Sequence, residues 1–403
     1  MNNVNAMTPQ QRQQLAAELS ALCVFRGLLK HRPMQALIRY LDCRGSLREM
    51  LDAYGEFVWS LAEDGCSLSG FLCRAVYEDE NPLVTAVARK EAVPDVLQEN
   101  AMEELNLLTR LTWLNDQMLR PVQPYTGYFP EFANTYMDLY AAYRERLAQL
   151  GRYGYGIFAS ARMFRVAGEE ILPVKTADRV SMDSFVGYLE ERQKVFDNTR
   201  ALVEGREAAN VLLFGDAGTG KSSTVKACVN HFHDQGLRLI ELRKDQLFSL
   251  PYVMSRIAEN PLKFIIFIDD LSFNKNDDSF SMLKAALEGS ASARTGNAVI
   301  YATSNRRHIV KERFSDRSEA DDVHHSDTVQ ELMSLSDRFG LTVYFSRPNK
   351  QLYLEIVHAL AQKKGLNVDA KQLELQAEAF ALSKGSRSPR AAEQFVNSLL
   401  IRE

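Results

Sequence analysis

The chain has 403 residues, 46% hydrophobic and 25% charged, with 48 Lys and Arg against 52 Asp and Glu. These proportions are those of a folded globular protein and exclude disorder as the general state. No apolar run approaches the roughly 18 residues that a membrane-crossing helix needs, and at about 100 to 200 residues per domain the length predicts two or three domains. The polar start lacks the apolar core of a secretory signal, so we expect a cytoplasmic protein without a membrane partner.

Cysteine usage and charge restrict the chemistry further. The five cysteines include no CxxC pair, so we predict neither a disulfide framework nor a thiolate zinc site, and we expect most of them to be small buried side chains. Residues 1–150 hold 14 basic and 19 acidic residues, a net charge of −5, and the other 34 basic and 33 acidic residues give +1. Neither part has the basic surplus of a nucleic-acid-binding surface, so charge does not support such a partner, although the sequence leaves one open.

The segment 1–150 has the pattern of an all-helical domain. Thr8 and Gln11 form a capping box, and Ser46 and Glu49 repeat it. Behind each box, apolar residues recur every three or four positions, which is the spacing of an amphipathic helix. We find no catalytic pattern in this segment. We therefore predict a helical N-terminal domain that binds an unknown protein client or partner.

The composition of the chain changes between residues 151 and 180, and we interpret this segment as a linker. Two short apolar runs there, Met163–Val166 and Ile171–Val174, are typical of a hairpin. From Asn210 onward, apolar runs alternate with helical stretches, and their continuous apolarity predicts strands that are covered on both faces, as in a parallel sheet of βαβ units. The predicted strands are Val211–Phe214, Leu237–Leu242, Phe264–Ile268, Ala298–Thr303 and Leu341–Phe345. The last sixty residues return to helical spacing.

Directly after the first of these strands comes a full match to the Walker A pattern GxxxxGK(S/T), namely Gly215-Asp216-Ala217-Gly218-Thr219-Gly220-Lys221-Ser222. The glycines let backbone N–H groups turn toward phosphate oxygens, and the positive end of the following helix, which includes Ser223, reinforces them. Lys221 adds a cation, and the Ser222 hydroxyl is placed to ligate Mg²⁺. The strand before the loop and the helix after it argue against a chance glycine-rich turn. The sequence therefore predicts a site for ATP and Mg²⁺.

Two carboxylates, Asp269 and Asp270, end the strand Phe264–Ile268 in the manner of a Walker B motif. The ligands of open α/β sheets gather at the C-terminal tips of the strands, where these carboxylates are expected. Asp269 would hold Mg²⁺ through water, and Asp270 would orient or polarise the attacking water. Two acids can also simply end a buried strand, but the phosphate loop that precedes them favours the catalytic interpretation.

From about Met182 to the C-terminus, these residues resemble an AAA+ ATPase. The segments FIDDLSF, LKAALEGS, IYATSNRRH and LSDRFGL, in this order, are most similar to DUF815, an uncharacterised bacterial family of predicted P-loop ATPases. The resemblance implies an α/β nucleotide-binding core over 181–347, a small helical lid over 348–403, and hydrolysis of the β–γ phosphoanhydride bond of ATP. Most AAA+ proteins have Glu where this chain has Asp270, which puts the rate of hydrolysis in question.

The resemblance also implies two catalytic roles outside the phosphate loop and the paired carboxylates. Asn305 matches the sensor 1 position, where an amide contacts the γ-phosphate and the lytic water. Arg338 matches an arginine finger that acts on the ATP of a neighbouring subunit, with Arg313 and Arg317 as competing donors. An Asn at a strand end is otherwise a turn former, and an Arg before a strand is otherwise a partner in a surface ion pair.

Three further segments are weaker candidates. Arg390, near the start of the final helix, matches the sensor 2 arginine of the lid better than Arg387 does, although an arginine at a helix start can be merely solvated. Phe185–Tyr188 resembles the stretch that lines the adenine pocket, but its apolar residues also suit plain packing. Arg306-Arg307-His308 is more typical of a solvated loop than of a DNA contact, and we interpret 313–330 as a mobile insertion.

The function that these patterns favour is that of a homo-oligomeric, Mg²⁺-dependent ATPase, whose hydrolysis is coupled to subunit assembly and to conformational work on an unknown partner. A second hypothesis is a slow-hydrolysing, nucleotide-gated binding module similar to a helicase loader or replication initiator. A third, phosphoryl transfer to a small acceptor, would need an acceptor pocket and further basic residues over the phosphates. Asn305 and Arg338 favour the first.

Overall fold

The computed structural model describes residues 6–65, 67–121, 125–176, 178–271, 282–285, 287, 296–305, 338–366 and 368–401. The chain divides into two compact units, Met1–Ser160 and Ala161–Glu403. Within the described ranges, no helix is long and apolar enough to cross a membrane.

The described part of the first unit is built from helices. Both predicted capping boxes are confirmed: the side chains of Thr8 and Ser46 accept from the N–H groups of Gln11 and Glu49, whose side chains accept in return. The α-helices are α1 Pro9–Ser20, α2 Arg32–Leu41, α3 Leu47–Glu63, α4 Leu68–Glu78, α5 Pro82–Ala88, α6 Asp95–Leu111, α7 Asp116–Leu119, α8 Leu139–Ala148 and α9 Leu150–Tyr153. Most of their apolar faces share one core, in which Tyr40, Tyr54 and Phe57 are fully buried, whereas Leu150 of α9 packs with Val84 and Tyr155 in a separate small cluster.

The prediction that most cysteines are buried is wrong for the four that the structure describes. Cys228 is buried, whereas Cys43 and Cys73 are half-buried and Cys23 is exposed. Cys23 lies in the turn after α1, where its backbone N–H donates to the carboxylate of Glu104 at 2.8 Å. The turn is held through its backbone, so the thiol is left at the surface.

A seven-stranded sheet forms the centre of the second unit. Its strands are β1 Met163–Ala167, β2 Glu170–Pro173, β3 Val211–Gly215, β4 Leu237–Leu242, β5 Lys263–Ile268, β6 Ala298–Asn305 and β7 Leu341–Phe345. They lie in the order β2-β1-β4-β5-β6-β3-β7, and all neighbours are parallel except β1 and β2. The predicted hairpin is confirmed, but it extends the main sheet, because β1 also pairs with β4.

Residues 282–285 and 287 of this unit are helical, and it also contains the helices α10 Leu189–Val203, α11 Lys221–Phe232, α12 Leu250–Ile257, α13 Lys350–Lys363, α14 Ala370–Ser383 and α15 Pro389–Leu400. The last three pack on one another around their own small core, which includes Tyr353, Ala377 and Phe395. The predicted fold class, a largely parallel α/β sheet with a small helical lid and a helical N-terminal region, is therefore confirmed.

The strand register brings the candidate residues to one edge of the sheet. Gly215 at the end of β3 pairs with Asn305 on β6 and with Phe345 on β7. Ile268, which precedes the two carboxylates, pairs with Ala302 on β6. Since these strands are parallel, their C-terminal ends and the loops that follow them share this edge, as expected for ligand sites of open α/β sheets.

Candidate nucleotide site

The predicted phosphate loop has a backbone that requires glycine. Gly215, Gly218 and Gly220 have φ values of 135°, 77° and 91°, which side chains disfavour. A Cβ on Gly215 would lie 2.0 Å from the carbonyl oxygen of Phe345, so the close approach of β7 excludes a side chain as well. Gly220 is the N-cap of α11, and the positive end of that helix therefore abuts the loop.

The other loop residues differ in exposure. Thr219 is fully buried, and its hydroxyl donates to the carbonyl oxygen of Asp216 at 2.9 Å, which closes the turn. Ala217 is exposed at the tip of the loop, whereas Ser222 and Ser223 are half-buried in the first turn of α11. The loop is thus pinned at its base and open at its tip.

Lys221 lies within the loop and is 6% exposed. Its Nζ donates to the carbonyl oxygens of Gly215 at 2.9 Å and Asp216 at 2.8 Å, and to Asn305 Oδ1 at 3.2 Å. Burial lowers the pKa of Lys221, while nearby carboxylates, Asp216 first, act in the opposite direction. The ammonium group is therefore a desolvated cation that already contacts the sensor-like Asn305.

The paired carboxylates stand beside this cation and differ in their partners. Asp269 Oδ1 accepts from Ser222 Oγ at 2.6 Å and from Thr303 Oγ1 at 2.5 Å. Asp270 Oδ1 accepts from Asn305 Nδ2 at 2.7 Å, and its N–H donates to Thr303 Oγ1 at 2.9 Å. One continuous hydrogen-bond network therefore joins the phosphate loop, both carboxylates and Asn305.

Thr303 is a residue of this network that sequence reasoning missed. It is 2% exposed on β6, and its hydroxyl contacts the side chain of Asp269 and the backbone of Asp270 at once. It precedes Asn305 by two residues, and residues at this spacing point to the same side of a strand. A hydroxyl in an apolar strand, two residues before the sensor position, was the available signal.

The start of α15 lies against the phosphate loop. The backbone N–H of Arg390 donates to the carbonyl oxygen of Gly218 at 3.3 Å. A Cβ on Gly218 would lie 3.1 Å from Arg390 Cβ and 3.3 Å from the hydroxyl of Ser388. Arg387 instead binds the carboxylate of Glu378 through Nε at 3.0 Å and Nη2 at 2.7 Å. Arg390 therefore lies at the loop, whereas Arg387 is paired with a carboxylate of α14.

Arg338 is remote from the phosphate loop of its own chain. It precedes β7, which runs parallel to β3, and Leu341 pairs with Val211, four residues before Gly215. At about 3.3 Å per residue, the start of β7 is therefore about 13 Å from the loop. The competing donors Arg313 and Arg317, the Arg306–His308 cluster and the predicted insertion 313–330 lie outside the described residues.

The segment Phe185–Tyr188 lies between the loop side of the core and the lid. Tyr188 donates through its hydroxyl to the carbonyl oxygen of Ser346, just after β7, at 2.7 Å. Val186 packs on the core of the lid helices, and a Cβ on Gly187 would lie 2.7 Å from Leu352 of α13. The segment thus presents apolar and backbone groups next to both parts of the unit.

The family model of DUF815, described as a protein of unknown function, matches residues 159–403. No curated protein sequence matches the chain. The RuvB Holliday junction branch migration motor of Thermotoga maritima and a mutant of the same protein are similar structures, each 16% identical, with TM-scores of 0.36 and 0.38. These matches cover 54% of this chain and 63% of theirs. Because these values are low, the fold assignment rests on the strand order, loop and lid described above. Since the family model covers more than half of its length, the chain belongs to the DUF815 family.

Proposed function

We propose that the chain is a Mg²⁺-dependent ATPase that works as a homo-oligomer and performs conformational work on a partner. The observation that carries this proposal is the hydrogen-bond network that joins Lys221, Ser222, Asp269, Asp270 and Asn305 at one sheet edge. A set of ion pairs that serves stability alone does not need an ammonium group inside a glycine-rich loop, two carboxylates and an amide at the ends of three parallel strands. Phosphoryl transfer from a nucleoside triphosphate does require such a set.

Binding of the triphosphate would use the loop backbone, the N-terminus of α11 and Lys221. The ammonium is now held by two carbonyl oxygens and an amide oxygen, which are neutral acceptors. A phosphate oxygen carries charge, so a charge-assisted hydrogen bond to it would be the stronger one. Arg390 would approach the phosphates from the lid, and Phe185–Tyr188 would contact the base.

The residues present fit a magnesium ion. Ser222 Oγ and Asp269 Oδ1 are hard oxygen donors only 2.6 Å apart, and Mg²⁺ is commonly held by one or two such protein oxygens together with phosphates. When bound, the ion would neutralise charge on the phosphates. Thr303 donates to the same oxygen of Asp269, so the orientation of the carboxylate is set before any ion arrives.

Asp270 and Asn305 would act on the attacking water. Asn305 donates to the Asp270 carboxylate at 2.7 Å, and this contact fixes the amide so that its oxygen turns toward Lys221. The carboxylate would accept a proton from the water, and the amide would sense the γ-phosphate. Because Asp is one methylene shorter than Glu, we expect slower hydrolysis than in relatives with Glu.

The position of Arg338 before β7 supports a role in trans. A side chain that begins more than about 13 Å from the phosphate loop along β7 is poorly placed for the ATP of its own subunit. In an oligomer the same residue can reach a neighbour, and an arginine supplied in trans stabilises charge on the transferring phosphoryl group. Hydrolysis would then depend on assembly.

The test combines ATP binding with phosphate release as the protein concentration is varied. Lys221→Ala should abolish Mg²⁺-dependent ATP binding, whereas Lys226→Ala on the same helix, which removes a lysine paired with Asp178, should not. Arg338→Ala should bind ATP but release little phosphate. Mixing the Lys221→Ala and Arg338→Ala proteins should restore activity, because mixed assemblies contain one intact interface.

Two results would count against the proposal. Calorimetry that detects no Mg²⁺-dependent ATP uptake by the unaltered protein would remove the nucleotide function itself. A rate per subunit that does not depend on protein concentration, with no recovery in the mixture, would remove the intersubunit role of Arg338.

The nucleotide-gated binding module stays as a second candidate because of Asp270. If hydrolysis is slow at every concentration but Asp270→Glu speeds it, the shorter carboxylate sets a slow cycle. A salt-dependent mobility shift with single- or double-stranded DNA would then identify nucleic acid as the partner. Without such a shift, the partner is sought among proteins, through the helical N-terminal unit.

A further inference from the structure

Arg192 of α10 is a buried cation directly behind the phosphate loop. It is 4% exposed, and its guanidinium lies 3.7 Å above the ring of Phe185. Its Nη1 donates to Thr224 Oγ1 on α11 at 3.3 Å, and its Nε donates to the carbonyl oxygen of Gly187 at 3.2 Å. A Cβ on Gly220 would lie only 3.1 Å from its Nη2.

No carboxylate lies within ion-pair distance of Arg192 in the part of the chain that the structure describes. Its hydrogen-bond acceptors are a hydroxyl and a carbonyl oxygen, which are uncharged. The titratable groups whose charge acts on Arg192 are Tyr188, Glu191 and Cys228. Burial raises the pKa of Tyr188 and brings that of Cys228 to about 12, so both are neutral at pH 7. Half-buried Glu191 is the one acid among them.

This arrangement is costly for the protein by itself. Burial lowers the pKa of Arg192 to about 10, so the side chain stays charged at neutral pH. A charge buried without a counter-ion is strongly unfavourable unless a charge of opposite sign enters its surroundings. The N-terminus of α11 adds to the cost, because its partial charge is also positive. The phosphate loop, which is shaped for anions, lies directly beside it.

We propose that Arg192 is a further nucleotide-affinity residue, and that the phosphates of the bound nucleotide are its counter-ion. The inference rests on the proposed nucleotide function. Arg192 acts through its field, from behind the backbone of Gly220, and is not a catalytic residue. This role explains why a cation outside the catalytic network is buried beside the loop.

The experiment measures binding of AMP, ADP and ATP with Mg²⁺ by calorimetry to three variants. Arg192→Gln removes the charge but keeps an N–H donor, and Arg192→Lys keeps the charge but loses the planar fork. Arg200→Gln is the matched control: Arg200 lies on the same helix, 5.0 Å from the ring of Phe196, and pairs with Asp197 at 3.4 Å. Thermal unfolding of each variant without nucleotide establishes that it is folded.

We expect Arg192→Gln to raise the Kd for ATP at least about tenfold, or about 1.4 kcal/mol, with a smaller effect on AMP. Arg192→Lys should stay within about threefold of the unaltered protein, because the field of a buried cation depends on its charge and on its distance from the phosphates. A role in packing alone would predict the opposite for Lys, since an ammonium cannot reproduce the two fixed hydrogen bonds. Arg200→Gln should bind all three nucleotides normally.

Two outcomes would overturn the inference. One is a Kd for ATP of Arg192→Gln within twofold of that of the unaltered protein. The other is an Arg192→Lys variant that is folded but binds ATP tenfold more weakly. The Lys variant decides the question if the Gln variant does not fold. If the unaltered protein itself binds no ATP, the proposed function fails, whereas ATP binding that is lost in Lys221→Ala and kept in Arg192→Gln refutes only the role of Arg192.

Discussion

Replacing Thr303 by Val tests whether one buried hydroxyl orients both carboxylates. Val has nearly the same shape as Thr, so the substitution keeps the packing of β6 and removes Oγ1. Two hydrogen bonds are lost: the one donated to Asp269 at 2.5 Å and the one accepted from the N–H of Asp270 at 2.9 Å. Loss of the second leaves the N–H of Asp270 unpaired, in a residue whose φ is 54°.

The magnitude follows from these two contacts. A hydrogen bond to a charged group contributes about 1.5–3 kcal/mol, and an unsatisfied buried donor costs about 1–3 kcal/mol. Asp269 and Asp270 are both exposed, so water offsets part of each loss. We therefore expect the free energy of unfolding to fall by about 1–3 kcal/mol. If Asp269 is a metal ligand, ATP hydrolysis or Mg²⁺ affinity should fall about 10- to 100-fold, as for other partners that orient such ligands.

Denaturant unfolding and steady phosphate release at varied Mg²⁺ measure both effects. Thr303→Ser is the matched control, because it keeps the hydroxyl and removes one methyl group, at a cost of about 0.8 kcal/mol. The Ser variant should keep its Mg²⁺ dependence, while the Val variant should need more Mg²⁺ for half-maximal activity. Equal losses in the two variants would mean that the methyl contacts matter and that the hydroxyl does not orient the carboxylates.

Two further predictions concern stability. Gly215→Ala should lower the free energy of unfolding by more than about 2 kcal/mol, because its Cβ would meet the Phe345 carbonyl oxygen. Gly168→Ala is the control: Gly168 also has a positive φ, 63°, but faces open space, so its replacement should cost about 1 kcal/mol. Equal losses of stability in denaturant would refute the steric argument. Burial raises the pKa of Asp79 to about 6, so the folded protein must ionise a buried carboxyl as the pH rises through 6. Asp79→Asn should therefore be about 1–2 kcal/mol more stable than the unaltered protein at pH 7.5, after allowance for partial exposure, and equal to it near pH 3, below the ordinary Asp pKa of about 3.9. A difference that does not change with pH would exclude this ionisation as the cause.

Local patterns predicted much of the fold and the candidate site. The capping boxes at Thr8 and Ser46, the parallel strands and the glycine-rich loop are each specified by residues close together in the chain. The phosphate loop is the strongest case, because its shape depends on glycines that few other residues can replace. The paired carboxylates were found for the same reason, since a buried strand that ends in two acids is a local signal.

Other features depend on contacts between distant segments, and only the tertiary structure decided them. The pairing of β1 with β4 has no local signature, because parallel pairing joins residues more than seventy positions apart. The choice between Arg387 and Arg390 depends on the contacts that they make with Glu378 and Gly218, and the place of Arg338 depends on the direction of β7. The roles of Thr303 and Arg192 depend on their burial beside other segments, because an unpaired hydroxyl or cation costs free energy only where water is excluded. Sequence thus determined which chemical groups are present, and the packing determined which of them share one site.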